Sequence, residues 1–212
     1  MKSKIVFIAF LVLLTAGTLI GGSKVKFTQT WKNPEGKPDS WKGKKVAAFV
    51  RPFNMDFRKP AELALARELS NRGINGIPGH TVLPASADED RETVKMYLKD
   101  AGVQGAIILT VQDFKNEVGG SPGQPYSIVP TTTLSGFSDY YAQYGFHGSV
   151  APATIGVKLN LVIETLIFSL EQDKLLWKAA TKNTDVKEID EAIMKLVEEV
   201  GKQLKKEGMV AK

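Results

Sequence analysis

Lys2 and Lys4 precede an unbroken apolar run, Ile5 to Leu14, which continues through Thr15, Ala16, Gly17 and Thr18 to Leu19 and Ile20 before Gly21, Gly22 and Ser23. A positive start, an apolar centre and small residues after it make the pattern of an export signal. A buried core helix would show one polar face, and this run has none. Small residues at Thr15 and Gly17 permit cleavage after Gly17. The span from Ile5 to Ile20 falls slightly short of the ~20 residues of a membrane helix, yet Gly21 to Ser23 could complete a crossing. Residues 1–22 are therefore expected to be a signal peptide or an N-terminal anchor. A basic, turn-rich segment follows over 23–43, where Val25, Phe27, Thr28 and Trp31 suit a short edge strand.

The pattern then becomes that of an α/β domain over 44–212. Lys44 to Arg51 has an apolar centre and stops at Pro52, which predicts a strand. Lys59 to Arg72 carries Ala61, Ala64, Leu65 and Leu69 at helical spacing, with Pro60 in the first turn and Gly73 at the stop. Ile74 to Pro84 reads as a weak edge strand interrupted by Pro78 and Gly79. A second helix is expected from Ser86, with Glu89 completing a capping box, Val94, Tyr97, Leu98 and Ala101 on the apolar face and Gly102 at the end. Gly105 to Val111 is a continuous apolar run bounded by glycine, the mark of a central strand covered on both faces. Residues 153–170 alternate, with Val157, Leu159, Leu161 and Ile163 set against Lys158, Asn160 and Glu164. The turn at Glu171 to Lys174 pairs this strand with Leu175 to Thr181 in a hairpin. The last helix is expected to be capped by Asp185 and Glu188, with Ile189, Ile193, Leu196, Val197, Val200 and Leu204 facing the sheet. The fold class predicted is α/β: one domain of two or three layers, with a mixed sheet of about five strands, βαβ crossovers, a C-terminal β-hairpin and a packed C-terminal helix.

One segment stands outside this scheme. Residues 119–150 are rich in Gly, Pro, Ser, Thr and tyrosine, and read as a loop of a length usually tied to function. Tyr126, Phe137, Tyr140, Tyr141, Tyr144 and Phe146 offer rigid amphipathic contact surface, so they are the candidate binding residues. The competing reading is that these rings fold back and cover the sheet. Trp31, Trp41 and Trp177 are expected to be packing residues.

With 43% apolar and 24% charged residues the chain can bury a core without staples. The absence of cysteine excludes disulfides, thiolate metal sites, thiol nucleophiles and a lipidated cysteine together. The charge of +5 is spread thinly, without the clustered basic stripe of a nucleic-acid binder, so no nucleic-acid partner is expected. His80 and His147 lie far apart, and neither has the spacing of a metal motif, so no metal is expected. No cofactor is expected either. Gly119 to Gly123 lacks the Lys-Ser/Thr ending of a phosphate loop. Gly136-Phe137-Ser138-Asp139-Tyr140 starts like a nucleophile elbow, but Tyr140 stands where a glycine is needed. Ser138, Asp139 and His147 remain the alternative, a hydrolase triad assembled within the loop.

Several short stretches carry a family resemblance: Thr30-Trp31-Lys32-Asn33-Pro34, the strand ending near Phe49, Arg72-Gly73, His80 with Leu83-Pro84, Ala101 to Ala106, and Leu176-Trp177-Lys178-Ala179. Over most of residues 28–208 the chain resembles an uncharacterised group of bacterial exported, lipoprotein-like proteins. Its core is also similar in fold to amino-terminal domains of envelope assembly accessory proteins. The resemblance implies a bacterial envelope address and names no catalytic residue. The cysteine that would carry a lipid has no counterpart near Leu19 to Gly22. The expectation is an exported envelope protein, periplasmic or anchored through residues 5–20. It would act as a non-enzymatic accessory or binding protein on an envelope protein or a small ligand.

Overall fold

The computed structural model describes residues 23–35, 41–51, 55–83, 91–116, 136–144 and 159–209. Residues 1–22, the expected Ser86–Glu89 capping box, Tyr126, Phe146 and His147 lie outside them. The chain is an α/β protein with a six-stranded mixed sheet in the order β1-β6-β5-β4-β2-β3. The strands are β1 (Lys24–Lys32), β2 (Lys45–Arg51), β3 (Asn75–Pro78), β4 (Gly105–Asn116), β5 (Leu159–Ser169) and β6 (Lys174–Val186). The helices are α1 (Arg58–Ser70), α2 (Arg91–Asp100), α3 (Phe137–Tyr144) and α4 (Ile189–Lys206).

β2 pairs in parallel with β3 on one side and β4 on the other, whereas β4, β5, β6 and β1 are antiparallel in turn. The two crossovers leave the sheet on opposite faces. Leu65 and Leu69 of α1 pack with Val46, Ala48 and Val50, and Ile193, Leu196 and Val200 of α4 join the same cluster. On the other face Val94 and Leu98 of α2 pack with Ala47 and Phe49, together with three rings of α3. The result is three layers. It also explains why β2 is buried from Val46 to Arg51: a strand covered on both faces cannot alternate. Gly73 and Gly102 hold φ of +80° and +65° behind α1 and α2, the left-handed stop that glycine adopts without strain.

β3 is shorter than its sequence suggests, because Pro78 and Gly79 turn the chain into a 3₁₀ turn over Gly79–Thr81. It is an edge strand, as expected. β1 holds the other edge and is longer than expected, pairing Lys24 to Lys32 with Thr184 to Trp177. That partner carries β6 past Thr181 to Val186, so Asp185 sits in the strand with φ +60° and does not cap α4. The residue before α4 is Glu188, extended, with no side-chain capping bond. Asp190 and Glu191 in the first turn face the positive end of the helix dipole instead. Trp177 is fully buried, donates from Nε1 to Glu207 Oε2 at 2.7 Å and meets Phe27 edge-on.

Candidate functional site

Part of the segment read as a loop folds into α3. Phe137, Tyr140 and Tyr141 fall at i, i+3 and i+4, one face of a helix turn, and all three are buried. Phe137 stacks against Phe49 at 5.0 Å and Tyr141 at 5.8 Å, and meets Phe168 edge-on at 5.7 Å. Tyr140 lies 5.9 Å from Phe168. These three candidate binding residues are core, and the covering role holds for them. Tyr144 ends α3.

The polar end of Tyr140 reaches a buried network. Its hydroxyl accepts from Arg51 Nη1 at 3.3 Å and lies 3.2 Å from Thr110 Oγ1. Thr110 stands opposite Arg51 on β2 and Glu164 on β5. Glu164 is buried, although its place in the alternation of β5 predicts a solvent-facing side chain. Gln112 donates from Nε2 to its Oε2 at 2.8 Å, and Lys178 Nζ lies 2.7 Å from its Oε1. Lys178 and Glu164 thus form a buried ion pair. Burial pushes the Glu164 carboxyl above the usual range, against the pull of Lys178, Gln112 and Arg51. Burial also raises the Tyr140 phenol, against Arg51 and Thr110. Arg51, Thr110 and Tyr140 thus meet at the carboxyl end of β2, beside the middle of β4.

A second buried carboxylate, Glu62 of α1, finishes the short edge. β3 pairs with β2 only as far as Ala48, and Glu62 Oε1 accepts the free Val50 N–H at 3.3 Å. It also accepts from Arg58 Nε at 3.1 Å, while Oε2 takes the His80 N–H at 2.7 Å and lies 2.8 Å from His80 Nδ1. His80 is thus a structural partner. Among the described residues no group of three His, Asp or Glu side chains could hold a metal.

Of the alternative triad, His147 lies outside the described residues; Ser138 is buried with no partner for its hydroxyl among them, and Asp139 is ion-paired to Arg91 at 2.9 Å. Ser138 borders a small cleft of about 360 Å³ of mixed charge, with Lys95, Lys99, Glu171 and Asp173.

The larger opening lies on the other face of the sheet, where α4 stands off β4 and β5. It has a volume of about 560 Å³. Val46, Ile107 and Ile167 form its floor, and Leu69 and Ile74 one wall. Val197, Val200, Gly201 and Leu204 of α4 form the other, with Trp41 beside them. The charged members are Lys42, Arg72, Glu198, Lys202 and Lys205, of which all but Glu198 are exposed. Trp41 packs, as its sequence setting suggests, but it packs along an opening. Sequence reasoning missed both this cleft and the Glu164–Lys178 pair. For the pair a signal existed: opposite charges diagonally placed across a hairpin.

No family model and no curated protein matches the chain. Among solved structures it is similar to the PelC dodecamer from Paraburkholderia phytofirmans, at 11% identity and a TM-score of 0.48, over 90% of this chain and 99% of that one. It is also similar to a variant PelC dodecamer from the same organism, at 10% identity and a TM-score of 0.44, over 81% of this chain and 90% of that one.

Proposed function

We propose that this chain is an exported accessory protein of the bacterial envelope that works by binding, and that the cleft beneath α4 holds its ligand. The cleft carries the reading. At about 560 Å³ it falls within the ~300–1,000 Å³ of small-molecule sites, and like them it has an apolar interior with few charges. Among the described residues its depth holds no acid, base or nucleophile, whereas the buried carboxylates, Glu62 and Glu164, are engaged by the fold itself. Gly201 lines the cleft, and a Cβ added there would meet nothing within 4 Å, so alanine fits without closing it. The envelope address rests on Lys2, Lys4 and the run from Ile5 to Ile20.

Fluorescence of N-phenyl-1-naphthylamine with the full chain tests the binding reading. The dye is expected to brighten with the wild type and with Gly201→Ala, and to lose that response in Gly201→Phe, whose ring fills the cleft. An undiminished response in Gly201→Phe refutes the site. Mass spectrometry of the amino terminus of the native protein tests the address: an intact Met1 in a cytosolic fraction refutes export.

A further inference from the structure

We infer that the occupant of this cleft is a single-chain anionic amphiphile, a long-chain carboxylate, an inference that rests on the cleft being a binding site. Size admits one chain: a cleft of about 560 Å³ accommodates a single acyl chain with its head.

Charge selects the head. Four cations, Lys42, Arg72, Lys202 and Lys205, border an apolar space whose sole anion is Glu198, a net +3 (4 − 1). They are not equally available. Arg72 is held by Glu68, and Lys202 lies 2.6 Å from Glu198 and 2.9 Å from Glu199. Lys42 and Lys205 have no ion-pair partner among the described residues and are exposed. They come from different elements, Lys42 next to Gly73 behind α1 and Lys205 from the last turn of α4. The carbonyl end of α4 repels an anion, and the last-turn lysines Lys205 and Lys206 oppose that repulsion. Two separate ammonium groups suit a monoanion. Lysine binds carboxylate and phosphate alike as a point charge, and the one arginine, which could fork onto either, is paired with Glu68.

The test is displacement of the same dye from the full chain by dodecanoate, dodecanol, dodecyltrimethylammonium and dodecyl phosphate. Dodecanoate is expected to displace at the lowest concentration. Its affinity is expected to rise about fourfold per added methylene from eight to twelve carbons, equivalent to ~0.8 kcal/mol each. Lys42→Gln and Lys205→Gln are each expected to weaken dodecanoate about two- to fivefold, the range of an exposed ion pair, and to leave dodecanol unchanged. Equal displacement by the carboxylate, the alcohol and the cation overturns the anionic head while leaving the binding site standing. Tighter displacement by dodecyl phosphate overturns the carboxylate. Failure of all four to displace the dye overturns the amphiphile, whereas a dye response undiminished in Gly201→Phe refutes the binding reading itself. A dimer in sedimentation that Gly201→Phe dissociates makes a second copy the occupant and overturns the proposal.

Discussion

Replacing Lys178 with methionine keeps the length and apolar stem of the side chain and removes only its charge, so it isolates the buried ion pair. Both partners are almost inaccessible, Glu164 at 1% and Lys178 at 6%, and their charged atoms are 2.7 Å apart. Removing one member of such a pair costs about 3–5 kcal/mol, because the other charge stays buried. Glu164 would still accept from Gln112 Nε2 at 2.8 Å and feel Arg51, which places the loss near the lower end, about 3 kcal/mol. For a chain of this size that is a fall of roughly 6–12 °C in Tm.

The loss should depend on pH, with a definite sign. Burial raises the Glu164 carboxyl above its ordinary 4.5, and Lys178 pulls it down. Without Lys178 the folded-state value rises further. A carboxyl raised on folding takes up protons as the chain folds. Its contribution is then fully present at low pH and is lost as pH rises through the folded value. Lys178→Met should accordingly be less destabilised at pH 5 than at pH 8. Urea denaturation followed by circular dichroism at both pH values measures this. The double variant Glu164→Leu/Lys178→Met should recover much of the loss, since an apolar pair replaces an ionic one, less about 1–3 kcal/mol for the stranded Gln112 amide. A Lys178→Met loss below about 1 kcal/mol at pH 8, or one that grows as pH falls, would refute the buried pair.

Glu62→Ala removes the acceptor shared by Arg58, His80 and the Val50 N–H, and should cost about 3–5 kcal/mol; hydrogen exchange at the Val50 and His80 amides should accelerate more than at Ile108. Phe137→Ala deletes the ring between Phe49 and Phe168 and should cost about 3–5 kcal/mol in urea denaturation, which a surface loop residue would not. Tyr140→Phe keeps the ring and loses only the hydroxyl bonded to Arg51 and Thr110, for about 1 kcal/mol in the same assay. Gly201→Ala should raise Tm by about 2–4 °C, and a fall would mean that the helix is strained there.

Which of these features the sequence discloses depends on how far apart their causes lie along the chain. β2 and β4 are legible because burial on both faces writes a continuous apolar run, and α1 because Gly73 stops an apolar stripe that is its own. Glu164 is not legible in the same way. An alternation of period two shows that the faces of β5 differ, but the cover over Glu164 comes from α3, a separate segment. Phe137, Tyr140 and Tyr141 have helical spacing, yet their Gly, Ser and Pro surroundings favour a loop. The failed cap at Asp185 has a comparable origin, since β1 from the start of the domain holds β6 extended through that position. The cleft is the extreme case. It is a gap left by how α1, α4 and the sheet pack, so no one of these segments encodes it.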